Sequence, residues 1–293
     1  MSALAVTTSP TAKLKNILFT TDFSEDSMHG LPYVAGIAAK LGSSVYLCHI
    51  VAPSPLVASA PEVAPTLYEG MKEQAAAQLT ALAHSPGMGS LSPKTVVGSG
   101  PVEDELCNII RENKIDLVVA GTHGRTGMRK LLLGSVVEEI CRVATCPVLT
   151  VGPGLAPRSE IQFSRMVFPT DLSEDSKRIL PYLRRIAEEY RAEIAVLHVM
   201  PEELVRNPDA EELAEPIRRN MMHIFEAELA GFKPEFLVGF GETVETVLRT
   251  ARAKKADMIA MGIHNAFLPG VQLRSSVAYR IMAGAHCPVL TSR

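Results

Sequence analysis

A chain of 293 residues is longer than one typical α/β domain and suits two of about 145 residues each. Its 47% hydrophobic and 21% charged content describes ordinary globular material, with ample apolar residues for buried cores. A formal net charge of −3 removes any global argument for nucleic acid or anionic membrane as a partner, so basic patches have to be argued locally.

In chain order, the first stretch, "MSALAVTTSPTAKLKNILF", has no basic segment ahead of a long apolar one, so it does not read as a secretion signal. No apolar run approaches the roughly 20 residues needed to span a bilayer. The five cysteines, Cys48, Cys107, Cys141, Cys146 and Cys287, include no C-x-x-C pair and no zinc spacing. They read as buried thiols of a reducing compartment, and the expectation is a soluble cytoplasmic protein.

"NILFT" predicts a first strand, followed by a helix from Ser24 to about Leu41-Gly42, kinked or started late by Pro32. "SVYLCHIV" predicts a second strand and "LYEGMKEQAAAQLTALAH" a helix of strong formers. "KTVVG" is a third strand, and "VEDELCNIIREN" a helix with acids in its first turn. "IDLVVA", "SVVEEICRVA" and "PVLTV" complete the series as strand, helix and strand. Continuous apolar strands separated by helices indicate a parallel sheet covered on both faces: a doubly wound five-stranded α/β sandwich.

The chain then repeats. "TDFSEDSMHGLPYVAGIA" from Thr21 returns as "TDLSEDSKRILPYLRRIA" from Thr170, an offset of 149 that also relates Pro32 to Pro181 and His49 to His198. "CPVLT" at Cys146 returns at Cys287, an offset of 141. The first copy is therefore longer between His49 and Gly98, where the Pro/Ala-rich "APSPLVASAPEVAPT" reads as a surface loop. Two homologous domains follow, residues 1–152 and 165–293, joined by the linker 153–164.

In open parallel sheets, ligands sit beyond the carboxyl ends of the strands. Two segments leave strands there: "TTDFS", with Asp22, and "GTHGRTGMRKLLLGSVVEEI", residues 121–140. Gly121 and Gly124 let backbone N–H groups approach a ligand, and Gly134-Ser135 opens a helix with the apolar face Val136, Val137, Ile140 and Val143. The free N–H groups of that helix end make an anion site. Alternatively, Ser135-x-x-Glu138 is a capping box that starts the helix with no ligand at all.

The spacing Gly121-x-x-Gly124, nine residues, then Gly134-Ser135 resembles the ATP-binding signature of the universal stress protein family, and two copies resemble its tandem form. The resemblance implies ATP as ligand, with Mg2+ or Mn2+ held by the phosphates. It puts Thr21 and Asp22 at the adenine and ribose, with Ile50 or Val51 lining the base pocket. It puts Gly121, His123 and Gly124 around the ribose and α-phosphate, and Gly134, Ser135 and Val136 at the β- and γ-phosphates. Arg125, Arg129 and Lys130 offer either long-range attraction for phosphate or a solvated rim, and His49 reads as structural. The resemblance further implies a nucleotide-dependent switch in stress response, an unidentified protein partner, an intrachain pseudo-dimer and association between chains.

The second copy departs from the signature. In "GIHNAFLPGVQLRSS", Gly262 remains, Asn265 replaces Gly124 and Ser275 replaces Gly134, with Ser276 retained. One competent nucleotide site, in the first copy, is the expectation. A dehydrogenase reading of "GSGPVE" from Gly98 lacks its third glycine, and the chain contains no G-x-x-x-x-G-K-[ST]. An adenine-nucleotide-processing enzyme on the same fold stays open, though "TTDFSEDS" lacks glycines and Glu138 and Glu139 are no obvious general base. A scaffold with two vestigial sites is the third reading.

Overall fold

The computed structural model describes residues 12–53, 59, 62–122, 133–153, 155, 160–201, 210–263 and 276–293. Two compact units emerge, one within residues 14–161 and the other within residues 162–263 and 276–293. His123, Gly124, Arg125, Arg129, Lys130, Asn265 and Ser275 lie outside the described residues.

The first unit runs β1 (Asn16–Thr20), α1 (Glu25–Met28), α2 (Leu31–Leu41), β2 (Ser44–Val51), α3 (Ala64–Ala83), β3 (Lys94–Ser99), α4 (Val102–Glu112), β4 (Leu117–Gly121), α5 (Ser135–Val143) and β5 (Val148–Val151). The second runs β6 (Arg165–Pro169), α6 (Glu174–Lys177), α7 (Leu180–Tyr190), β7 (Glu193–Met200), α8 (Ala210–Phe225), β8 (Glu235–Phe240), α9 (Thr243–Ala253), β9 (Met258–Gly262), α10 (Val277–Gly284) and β10 (Val289–Ser292).

Both sheets are parallel, ordered β3-β2-β1-β4-β5 and β8-β7-β6-β9-β10. The β1 and β4 strands bury every side chain or nearly so, which is why they carry Ile, Leu, Phe and Val without alternation. The single helix expected after Ser24 is two. α1 begins with the Ser24 hydroxyl accepting from the Ser27 N–H, and α2 restarts at Leu31 with Pro32 in its first turn. Proline has no N–H to offer there and needs none, so the break falls where the ring is tolerated. Gly42, with φ +68°, ends α2 in the left-handed conformation.

The sequence from Gly98 is a tight turn ahead of α4: Gly100 has φ +143° and its N–H donates to the Val51 carbonyl at 3.1 Å. Gly241, with φ +120°, repeats it in the second unit. Two residues beside the boundary between the units, each within its own unit, are anchored by packing. Ile161 fills the notch left by Gly36 on α2, where a Cβ would lie 2.7 Å from the isoleucine. Phe163, fully buried, meets Tyr190 edge-to-face at 5.0 Å in the second unit.

The cysteine expectation needs one correction. Cys48, Cys141 and Cys287 are buried, but Cys107 is exposed on α4 and Cys146 is half-buried. Burial, helped by Glu105 and Glu138 respectively, pushes the Cys48 and Cys141 thiols up to about 12. Among the described residues, no helix is long and apolar enough to cross a membrane.

Candidate functional site

The first unit's strand order reverses between β1 and β4, and a cavity of about 210 Å³ opens beyond the carboxyl ends of β1, β2 and β4. Its wall includes Thr21, Asp22, Ile50, Gly121, Gly134 and Ser135, joined by Val136 at its mouth. Val51 stands beside the cavity: its side chain is buried and its carbonyl accepts from Gly100.

The turn after β1 is wired through its own side chains. The Thr21 hydroxyl accepts from the Phe23 N–H at 2.9 Å, and the Asp22 Oδ1 accepts from the Ser24 N–H at 3.0 Å and the Ser24 hydroxyl at 2.6 Å. Because Ser27 donates its one proton to the Ser24 carbonyl, the 2.8 Å contact between Thr21 Oγ1 and Ser27 Oγ is a Thr21 donation. These bonds hold Phe23 at φ +63°, a costly conformation for a bulky residue. Leu172 has φ +67° with the same bonds from Thr170, Asp171 and Ser176. The Thr21 hydroxyl is thus engaged in the fold, and the Asp22 carboxylate, which accepts from Ser24, lines the cavity.

His49 donates from Nδ1 to the Thr21 carbonyl at 2.7 Å, and His198 does the same to Thr170 at 2.9 Å. This fits the structural role expected for both. In the neutral tautomer it leaves Nε2 as an acceptor, and both rings also border cavities.

Gly121 answers to the fold as well. A Cβ there would stand 2.6 Å from the Ser27 Cα and 2.7 Å from the Asp26 carbonyl oxygen, both backbone of α1. Gly262 shows the same crowding against Asp175 and Ser176, which is why this glycine survives in both copies.

Gly134 differs. Its φ of −64° and ψ of 149° are open to any residue, and it is the N-cap of α5 without a side-chain hydrogen bond. The capping-box alternative therefore fails: Ser135 is the first helical residue, not the cap. The Gly134 N–H donates to the Thr122 carbonyl, and the first intrahelical bond is Glu138 N–H to the Gly134 carbonyl. The N–H groups of Ser135, Val136 and Val137 consequently have no acceptor within the helix. Val136 is also not on the buried face. It is 44% exposed, and the core face is Val137, Ile140 and Cys141.

In the second unit the equivalent helix carries a side-chain cap. Ser276 is its N-cap, accepting from the Tyr279 N–H at 3.2 Å, so α10 begins one residue later than α5. Ser276→Ala is expected to cost the second unit about 1 kcal/mol. Ser135→Ala should cost its unit much less, and urea unfolding of the two variants checks the difference.

Chemically, the first cavity joins a helix end whose first N–H donors have no acceptor within the helix to a carboxylate and an apolar wall that includes Ile50, Val102, Leu106 and Ile140. That is a cleft for a molecule with an anionic end, hydroxyl donors and an apolar body. Glu138 and Glu139 do not line it.

The model of the universal stress protein family matches twice, over residues 13–152 and 162–293. The chain belongs to the universal stress protein family. It is a tandem member, each match covering one α/β unit. Among its relatives, Universal stress protein MJ0531 of Methanocaldococcus jannaschii is 32% identical over 138 residues, covering 47% of this chain and 81% of the relative. Universal stress protein Slr1230 of Synechocystis is 23% identical across 96% of this chain and its own full length. A universal stress protein structure from Archaeoglobus fulgidus shares the fold, with a TM-score of 0.75 at 21% identity over 96% of this chain and 99% of that one.

Proposed function

We propose that this tandem universal stress protein binds one adenine nucleotide, ATP, in the cavity of its amino-terminal unit, and that occupancy acts as a switch read by a protein partner in stress response. The observation that carries the reading is the uncapped start of α5, opening into a cavity that also holds the Asp22 carboxylate. The phosphates take the N–H groups at Ser135, Val136 and Val137, and Asp22 accepts from the ribose hydroxyls. The base lies along Ile50 and Val102.

A helix dipole supplies only about 0.3–1 kcal/mol, whereas micromolar binding requires roughly 8 kcal/mol. Direct hydrogen bonds and apolar burial of the base therefore account for most of the affinity. Among the described residues, no group of three or more His, Cys, Asp or Glu side chains is arranged to hold a metal ion. Mg2+ or Mn2+ would arrive bound to the phosphates, neutralising part of their charge as the nucleotide leaves water.

The test is native mass spectrometry and calorimetry on the full chain. One ATP per chain, lost on nucleotide-free repurification and restored by titration, is expected. A chain that takes up no ATP at millimolar concentration, or takes up two equivalents of similar affinity, overturns the reading.

A further inference from the structure

We infer that the amino-terminal half of α3 is a self-association surface, on which a second copy of this chain docks antiparallel across a two-fold axis, whatever the nearby cavity binds. α3 packs on β2 and β3, and its buried residues, Ala75, Leu79 and Ala83, all lie in its carboxy-terminal half. Ahead of Ala75, no residue of the helix is buried. Val63, its N-cap, is 50% exposed, Leu67 47% and Met71 39%. A helix advances about 100° per residue, so residues four apart drift by only about 40° and these three share one face. The fold does not require such a stripe. In α8, the helix between the corresponding strands of the second unit, the exposed Leu213 and Met222 are nine residues apart and lie on opposite sides.

Gly70 is the second observation. It stands inside α3, although glycine is the poorest helix former after proline. Its backbone is not in the left-handed region, and among the described residues nothing lies within 4 Å of where its Cβ would be. Neither a turn nor crowding within the unit accounts for it. Its effect is a notch on the apolar face, between Leu67 one turn before and Gln74 one turn after. A notch of this kind lets a second backbone or a large side chain come close.

Charge and shape both make a second copy the occupant. A two-fold contact sets a surface against itself, so any charge on it meets its like. The face from Val63 through Leu67, Gly70, Met71 and Gln74 to Gln78 carries no charge. The charges of α3, Glu69, Lys72 and Glu73, fall more than about 110° round the helix from Leu67. Glu69 and Lys72 pair with each other at 2.8 Å. In shape, a projecting Leu67 and a recessed Gly70 adjoin on one face. The antiparallel register that sets Leu67 level with Gly70 of the second copy also sets the second copy's Leu67 level with Gly70 here, the reciprocity a two-fold demands. It brings Val63 level with Gln74, and Met71 with Thr66. One helix face buries less than the roughly 800 Å² per partner of a stable interface, so the dimer is a weak one, with a dissociation constant on the order of 100 µM.

The experiment is sedimentation velocity of the full chain from about 5 to about 500 µM, a range that brackets a weak interface. A reversible shift from monomer to dimer is expected. Leu67→Glu, an exposed position, should weaken association at least about 30-fold by setting two carboxylates together. Gly70→Gln should have opposite effects on fold and dimer. A better helix former raises the urea midpoint, while a side chain in the notch weakens association at least about 10-fold. Mixing Leu67→Glu with Leu67→Lys chains should restore the dimer, because the two positions 67 are neighbours across the axis. A chain that stays monomeric at about 500 µM overturns the inference and leaves the face to a partner of another kind. A dimer undiminished in Leu67→Glu, or a Glu–Lys mixture that fails to reassociate, overturns it as well.

Discussion

Gly121→Ala is expected to destabilise the amino-terminal unit by about 3 kcal/mol, and Gly262→Ala to do the same in the carboxy-terminal unit. In each case the new methyl would lie 2.4 to 2.7 Å from backbone atoms of the short helix after the first strand. Backbone has no rotamer to change, so either α1 or α6 moves as a body or the strand end shifts. Because the turn is tied by hydrogen bonds that Thr21 and Ser27 donate and Asp22 accepts, such a shift would break several at once. Gly134→Ala, at an ordinary extended conformation, should cost about 1 kcal/mol or less. Urea unfolding followed by amide exchange in each unit measures all three. If Gly121→Ala unfolds like the parent chain, the close approach of α1 to β4 does not explain the glycine.

Val136→Asp should have opposite effects on folding and on binding. Val136 is in the first turn of α5, 44% exposed at the cavity mouth. A carboxylate there complements the helix dipole and should add about 0.5 kcal/mol to stability. It also puts a negative charge where the proposal puts phosphate. At about 4 Å and an effective dielectric of about 20, two unit charges repel by roughly 4 kcal/mol. Solvent at this exposed position screens part of that, leaving about a 100-fold loss of ATP affinity, with adenosine binding almost unchanged. Calorimetry with the two ligands on a chain shown to be more stable would exclude damage to the fold as the cause. Unaltered ATP affinity would mean that phosphates do not reach α5.

The sheet, its helices and the duplication were legible because their signals are local. Apolar runs such as "LVVA" need no partner to declare a buried strand, and Thr21 and Thr170 announce the repeat by identity alone. The role of Gly121 was not legible, because its reason is a helix almost a hundred residues earlier that approaches only after β1 and β4 pair. Sequence spacing gives Gly121 and Gly134 equal standing as ligand glycines. Geometry separates them, one made necessary by packing and the other not by its own backbone angles. The capping box failed for a related reason. Ser135 and Ser276 occupy matching places in the two copies, yet only Ser276 caps, and α5 begins a residue sooner with Gly134 as its cap. A change of one residue in a helix start lies below what pattern reading resolves.

The uneven capping of α5 and α10 makes the protein its own calorimetric reference. A ligand that binds one folded unit at 100 times its dissociation constant raises that unit's stability by about 2.7 kcal/mol. Anions that complete α5 should therefore raise the melting of the amino-terminal unit and leave the unit closed by Ser276 where it was. Within a single heating trace, the distance between two transitions would then report occupancy of one site, with no second sample needed for comparison.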